Sequence, residues 1–344
     1  MFLGIDVGGA NTKVATSDGV VVESLYAPLW HRKVCLYEVL PEVQQRFGAK
    51  LEAIGAVMTG ELSDCFATRR EGVLFIADAV ATSFDNPLFF DRMGQFRARS
   101  AVETDPLAFA ATNWLASATL VAQEYRDAIF LDIGSTTTDV IPISDGTVRA
   151  QRTDLERLKR GELIYSGVLR TNVAAVLQRV NLAEEEASET CRVSSELFAI
   201  TADAYIVLGE LREDAYSCSS PNWYAFVGRE VEEKSRMSAL QRLARVVCSD
   251  LEELGETGAA AIAAQVKQKQ VEELQASLEQ MKTAYGLSRV VAAGIGDFLA
   301  RAAADAVHLQ FISLAARYGT DIAATFPAFA LAKLLEAAVT GGER

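Results

Sequence analysis

Residues Asp6-Val7-Gly8-Gly9-Ala10-Asn11-Thr12-Lys13 and Asp132-Ile133-Gly134-Ser135-Thr136-Thr137-Thr138-Asp139 are two versions of one phrase. Each follows a short apolar run, Met1 to Ile5 in the first and Ala128 to Leu131 in the second, and each turns on glycine into a further apolar stretch. Asp opens both turns, Gly stands two residues on, and Thr stands six residues on. Ser17-Asp18-Gly19 closes the first copy and Ser144-Asp145-Gly146 the second, one residue out of step. Asp-Gly between β-rich runs signals a hairpin, because Gly accepts the positive φ of tight turns. The phrase predicts a duplicated β-hairpin. A repeat near half the chain length predicts two similar domains facing each other, not a solenoid.

The turns have a chemistry of their own. Backbone N–H groups in a Gly-rich bend converge on anions, Ser and Thr hydroxyls add donors, and an Asp at a strand end can hold hydrated Mg²⁺ beside a phosphate. A single hydroxyl-rich hairpin would need no such explanation; two in register call for one.

Composition narrows the classes. The chain has 344 residues, room for two domains, and 33 basic against 46 acidic residues give a net charge of −13. That balance argues against a nucleic-acid or acidic-membrane binder, whose affinity rests on clustered Lys and Arg. A phosphorylated ligand would be held locally, by loops and a metal. Five scattered cysteines without CxxC spacing fit a reducing compartment and no zinc site. With only His31 and His308, His-based triads and metal sites are not expected. Met1-Phe2-Leu3 reads as strand and no apolar run reaches membrane-spanning length, so a soluble, cytoplasmic protein is expected.

Along the chain, a helix is predicted from Glu38 to Phe47 and a buried strand from Ala53 to Met58, followed directly by Thr59-Gly60-Glu61-Leu62-Ser63-Asp64. Ligands of open α/β sheets gather beyond the carboxyl ends of strands, which marks Glu61 and Asp64. Residues 73–77 and 80–82 read as short strands around Asp78. Asp105-Pro106 reads as the start of an Ala-rich helix running to about Tyr125, with Glu103-Thr104 before it reaching toward the cleft. Gly167 and Arg170-Thr171-Asn172 lead into an apolar helical run, and Arg170 is placed to clamp an acidic substrate group. Ala199 to Leu208 is a helix or strand carrying Asp203, and Arg212 to Asn222 is the expected mobile loop. A long amphipathic helix is predicted from Ala259 to Tyr285. Arg289 to Ala293 is then a strand ending at Gly294-Ile295-Gly296-Asp297-Phe298, a third place for close backbone approach to a ligand. Pro327 should kink, or start, the Ala-rich helix between Asp321 and Val339.

Three Gly turns in this order, each after a strand, resemble the phosphate-1, phosphate-2 and nucleoside motifs of the actin, sugar kinase and Hsp70 superfamily. That resemblance implies an α/β fold of two duplicated actin-like, ribonuclease H-like domains with mixed five-stranded sheets around a central cleft. The first domain would take residues 1–126 plus about 320–344, and the second 127–319 with helical insertions. Thr59-Gly60-Glu61-Leu62, the phrase from Asp132 to Asp139, and Tyr165-Ser166-Gly167-Val168-Leu169-Arg170-Thr171 narrow the resemblance to the hydantoinase/oxoprolinase-type branch linked to tetrahydromethanopterin-dependent one-carbon metabolism. Relatives in that branch include methanofuran-pathway synthases, which join an aminomethylfuran-methanol diphosphate to γ-glutamyltyramine or a similar phenol and release diphosphate. An alkyl or aryl transferase is thereby implied, not a phosphoryl transferase.

On that resemblance Asp6 and Asp132 are the metal-side carboxylates for Mg²⁺. Gly8, Gly9, Asn11, Thr12, Gly134, Ser135, Thr136 and Thr137 are the phosphate contacts, joined by Gly294 and Gly296 of the third turn. Asp105 and Arg170 are assigned to substrate. Lys13 and Asp139 match in the repeat, so one attracts the diphosphate and the other its metal, or the two pair. The base that takes the phenolic proton stays open among Glu61, Asp105 and Asp139. Alternatives are an ATP-dependent small-molecule kinase or oxoprolinase-like ATPase with adenosine near Gly294 to Phe298, and a non-catalytic nucleotide-regulated module. Partners are small molecules, neither nucleic acid nor membrane; a homo-oligomer is compatible with the sequence.

Overall fold

β1 (Phe2–Val7) is buried along its whole length, and in the computed structural model it folds back through the first turn onto β2 (Asn11–Thr16). The structure describes residues 1–182, 190–215 and 234–341. Asp6 stands opposite Lys13 and Val7 opposite Thr12. β3 (Val22–Tyr26) extends the antiparallel pair, whereas β4 (Ala53–Met58) joins β1 in parallel. Parallel pairing needs a crossover, which the helix Leu36–Phe47 supplies. β5 (Leu88–Phe90) and β6 (Phe96–Arg97) complete the order β3-β2-β1-β4-β5-β6. A strand as apolar as β1 needs cover on its faces, and Gly4 shows how tight that cover is. A Cβ there would lie 2.0 Å from the carbonyl oxygen of Ala328, in the helix Phe326–Gly341.

The second sheet repeats the plan. β7 (Ala128–Ile133) is followed by β8 (Thr138–Ser144), β9 (Thr147–Val148) and β10 (Leu163–Ile164). A small separate sheet pairs β11 (Arg179–Asn181) with β12 (Thr190–Arg192). β13 (Arg289–Gly294) and β14 (Gln310–Ser313) then give the order β10-β8-β7-β13-β14, with β9 also on β8. In both sheets the first strand has its hairpin partner on one side and a strand from much later in the chain on the other.

Both sheets have six strands where five were expected. β6 is an added antiparallel edge in the first. In the second, the outer edge of β8 is shared, with Ile143 and Ser144 pairing to β9 and Thr138 and Asp139 to β10. The hairpin loops also differ. Asp145 and Gly146 both have positive φ, 55° and 71°, as a two-residue Asp-Gly turn requires. The first loop is longer, closed by Thr16 N donating to Val21 O at 2.9 Å, and only Gly19 is left-handed.

The chain divides into two compact units, Met1–Phe130 with Ile141–Glu162 and Ser313–Arg344, and Leu131–Val140 with Leu163–Ile312.

Several predicted elements differ. Residues 73–77 and 80–82 are not strands but the interior of the helix Arg69–Ser83. Val73, Ile76, Ala77 and Val80 are all buried, and their spacing of three, four and seven is helical. Thr68 caps that helix, accepting from Glu71 N at 3.1 Å, and Glu71 reaches back to Ala67 N at 3.0 Å. Asp105 does not start a long helix: its N–H closes the helix Arg99–Thr104, and Pro106–Phe109 is only a 3₁₀ turn. Ala111 at φ 50° then separates that turn from the helix Asn113–Glu124. The apolar run after Asn172 is a single turn, Val173–Val176. Asp203 sits on a helix, Thr201–Val207. The long helix runs Gly255–Tyr285 and ends on left-handed Gly286. Pro327 occupies the first turn of Phe326–Gly341, where its missing N–H costs nothing. Residues 216–222 of the expected mobile loop lie outside the described residues. Among the described residues no helix is long and apolar enough to cross a membrane.

Candidate active site

In the first unit the turn between β1 and β2 is closed by Gly8 N donating to Asn11 O at 3.0 Å. A Cβ at Gly8 would sit 2.7 Å from that oxygen, so the bend demands glycine. Gly8, Gly9 and Asn11 are half-buried, while Asp6 is 4% exposed and Thr12 fully buried. The Thr12 hydroxyl has no hydrogen-bond partner among the described residues. Lys13 donates from Nζ to the carbonyl of Ala324 at 2.8 Å. Its charge thus sits at the C-terminal end of the helix Thr320–Ala324.

The loop after β4 locks onto this turn. Thr59 N and Gly60 N both donate to Val7 O, at 2.9 and 3.0 Å. Glu61 follows, 1% exposed. Its Oε1 lies 3.4 Å from Arg69 Nε, and Arg69 is held from behind by Asp154 Oδ2 at 2.9 Å. Arg157, stacked 4.2 Å over Trp114, lies 3.5 Å from the other oxygen of Asp154. Glu61 Oε2 is buried and has no partner among the described residues. Burial pushes the Glu61 carboxyl up to about 7; Arg69 opposes that rise, while Asp154 and Asp6 add to it. Asp64, three residues on, is exposed.

The second unit builds the same bend. Gly134 N donates to Thr137 O at 2.9 Å, and the Ser135 and Thr136 hydroxyls lie 3.4 Å apart. Residues Gly134 to Thr137 are half-buried; Asp132 and Asp139 are each 8% exposed, with Asp139 opposite Leu163 of β10. Arg170 is half-buried, and its backbone N–H, like that of Leu169, donates to Ser135 O at 3.0 Å.

Gly294 and Gly296 have a packing role. A Cβ on Gly294 would meet Ile133 O at 2.3 Å and Asp132 Oδ1 at 2.8 Å, and one on Gly296 would meet the Ile133 side chain at 2.3 Å. Their close backbone approach is to the end of β7. Ile295 N and Gly296 N both donate to Ile133 O, at 2.9 and 3.1 Å. This repeats Thr59 and Gly60 on Val7. The correspondence makes Asp297 the counterpart of Glu61, and Asp297 Oδ1 is likewise buried without a partner among the described residues. Sequence reasoning missed Asp297 in this role; aligning Ile295-Gly296-Asp297 with Thr59-Gly60-Glu61 would have found it. Arg69 and Asp154 left no such signal.

Asp6, Gly8, Gly9, Asn11, Thr12, Lys13 and Glu61 thus gather around one turn in the first unit. Asp132, Gly134, Ser135, Thr136, Thr137, Asp139, Arg170, Gly294 and Gly296 gather around the other in the second. Asp105 belongs to neither cluster. Its side chain is 54% exposed and lies 3.7 Å from Arg92, on a groove with Arg97, Arg152 and Phe109. Among the described residues no group of three or more His, Cys, Asp or Glu is arranged to hold a metal. Mg²⁺ does not need one, since it is commonly bound by one or two carboxylates plus substrate phosphates. A buried Asp beside each amide-rich bend fits that mode.

Known proteins resemble this chain as a whole. The hydantoinase/oxoprolinase family model matches residues 52–338. A Methanocaldococcus jannaschii protein named (4-{4-[2-(gamma-L-glutamylamino)ethyl]phenoxymethyl}furan-2-yl)methanamine synthase is 36% identical over 340 residues, covering 98% of each chain. A Methanococcus vannielii protein of the same name is 32% identical over 215 residues, 61% of this chain and 91% of that one. Among solved structures, a ROK family glucokinase from Streptomyces griseus in complex with glucose and AMPPNP aligns with a TM-score of 0.49 at 12% identity, covering 97% of this chain and 98% of the other. A family model spanning most of the sequence, and a relative aligned over nearly all of it, establish that this chain is a member of the hydantoinase/oxoprolinase family.

Proposed function

We propose that this protein is a transferase of methanofuran-type cofactor biosynthesis. It joins an aminomethylfuran-methanol diphosphate to the phenol of γ-glutamyltyramine and releases diphosphate. The observation that carries the reading is the 36% identity to the M. jannaschii synthase over 98% of both chains. That relative's name describes a phenoxymethyl-furan, so the bond to be made is an aryl ether.

In the step, the phenolic oxygen attacks the furan methylene carbon as the carbon–oxygen bond to diphosphate breaks. The bond's electrons leave with the diphosphate, and the phenolic proton passes to a carboxylate. Positive charge develops on the carbon and negative charge on the departing oxygens, so donors aimed at those oxygens favour the transition state. Amides and hydroxyls of the kind each Gly turn carries would supply such donors. Mg²⁺ held by Asp6 or Asp132 together with diphosphate oxygens would draw off part of the leaving group's charge.

Glu61 is the favoured base. Asp105 is exposed and beside Arg92, whereas Glu61 is buried with one oxygen that has no partner among the described residues. Its carboxyl, raised to about 7, stands closer to the unperturbed phenol near 10 than an ordinary carboxylate does.

The test is incubation of the purified protein with Mg²⁺, the furan diphosphate and γ-glutamyltyramine, followed by mass spectrometry. Ether product with stoichiometric diphosphate, formed without nucleotide, supports the reading. Product that appears only with ATP, alongside ADP, would replace it with an ATP-dependent reaction.

A further inference from the structure

Gln270 lies in the interior of the helix Gly255–Tyr285, on the buried stripe that carries Ile262, Val266, Leu274 and Leu278. Every other member of that series is apolar, and Gln270 is only 4% exposed. A buried amide must satisfy its donors and acceptor or destabilise the core. Gln270 does so completely. Its Oε1 accepts from the hydroxyl of Tyr205, and its Nε2 donates to Ser166 Oγ at 2.7 Å and to Gly167 O at 3.1 Å.

The two residues it grips form the back of the second turn. A Cβ on Gly167 would fall 2.5 Å from Thr136 N and 2.6 Å from Ser135 C, so the Gly167 backbone lies directly against the Ser135–Thr136 peptide. Other groups, buried or half-buried, fix the same spot. Thr201 Oγ1 donates to Gly167 O at 2.9 Å, Gly167 N donates to Thr171 Oγ1 at 2.9 Å, and Thr138 Oγ1 donates to Ser166 O at 2.8 Å. Val168 N donates to Gly134 O at 3.0 Å, beside the two bonds to Ser135 O. The amide orientation of residues 135 and 136 is therefore set from behind, with Thr201 and Gln270 both reaching in from helices outside the turn and Gln270 the one that grips Ser166 and Gly167 together.

We propose that Gln270 is a positioning residue for the diphosphate: by holding Ser166 and Gly167 against the Ser135–Thr136 peptide, it pre-aims the amides that bind the leaving group. Tyr205 acts with it, fixing which end of the Gln270 amide faces Gly167. The inference rests on the reading of the Gly134–Thr137 turn as a phosphate cradle.

Calorimetric titration with diphosphate and Mg²⁺ tests it, on wild type, Gln270→Met and Gln270→Glu, together with steady-state kinetics. Met keeps the length and volume but donates nothing. It should weaken diphosphate binding roughly tenfold, the loss expected for one or two well-made hydrogen bonds. KM for the diphosphate substrate should rise by a like factor while KM for the phenolic partner stays put. Gln270→Glu, which sets a carboxylate against the Gly167 carbonyl, should lose more. Amide exchange at Ser135 and Thr136 should quicken in both. Leu274→Ala, a cavity one helical turn away, controls for stability alone: it should lower Tm and leave diphosphate affinity unchanged. Should Gln270→Met fail to fold, Ser166→Ala removes one arm of the support and should weaken diphosphate binding about threefold. The proposal fails if the folded variants bind diphosphate as wild type does, or if Leu274→Ala reproduces their loss. It fails too if wild type binds no diphosphate, and in that case the cradle reading falls with it; diphosphate bound by wild type and variants alike leaves that reading standing.

Discussion

Glu61 combines two properties that pull against each other. Its carboxyl is almost fully buried and sits at about 7, which suits proton transfer but disfavours the charged form in the folded protein. As the proposed base it must be ionised, so kcat/KM should rise with pH through about 7 and then level off. Stability should run the other way. The unfolded chain ionises this group near 4.5, below the folded value, so folding loses stability as pH climbs from about 4.5 to 7, and the cost stays constant above. Glu61→Gln should therefore lower turnover by roughly 10²-fold or more. It should also raise stability at pH 8, by on the order of 1–3 kcal/mol relative to its effect at pH 4. Urea titrations at the two pH values check the second claim; equal effects would mean that Glu61 is not raised. Gly8 and Gly134 give a second residue-scale contrast. A methyl at Gly8 meets Asn11 O at 2.7 Å, but at Gly134 it meets Thr137 O at 3.5 Å, ordinary contact. Gly8→Ala should distort its turn and weaken diphosphate binding, while Gly134→Ala should fold and bind nearly as wild type, both readable by calorimetry. Bends at both glycines were legible in the repeat. The Glu61–Arg69–Asp154 chain was not, because Arg69 and Asp154 are 85 residues apart and only folding makes them neighbours.

At the scale of elements, legibility followed the range of the signal. β1, β2, β7 and β8 announce themselves through apolar runs and Gly turns, signals complete within a dozen residues. The helix Arg69–Ser83 was misread although its signals are just as local. Thr68-Arg69-Arg70-Glu71 is a capping sequence, and the spacing from Val73 to Val80 is helical, but β-branched residues around Asp78 mimic strands when counted alone. That helix matters to the site, because a Cβ on Gly72 would lie 2.0 Å from the backbone oxygen of Glu61. Gly72→Ala gains helix propensity, worth up to about 1 kcal/mol, yet forces the helix off the Glu61 loop. The clash should win. The variant is expected to melt lower and to lose turnover several-fold more than it loses diphosphate affinity, since the Gly134 turn is untouched; kinetics and calorimetry on one preparation separate the two. A rise in Tm would mean that the loop yields freely.

The whole molecule carries a net charge of −13, while its proposed substrate is a diphosphate. The long-range field would therefore repel such a ligand, and its affinity would have to arise from short-range donors and a metal. This fixes the sign of the salt dependence. The Debye length falls from about 30 Å at 0.01 M to about 10 Å at 0.1 M, which screens the distant acidic residues but barely touches contacts inside a half-buried bend. At saturating Mg²⁺, kcat/KM for the diphosphate should thus rise about two- to threefold over that range. A site built on a basic surface would behave oppositely and lose affinity steeply. The groove with Arg92, Arg97 and Arg152 is the place where such behaviour would originate, although Asp91 and Asp105 already lie 3.3 and 3.7 Å from Arg97 and Arg92. A tenfold fall in kcat/KM with salt, abolished by Arg152→Ala, would place the diphosphate in that groove and not at a Gly turn.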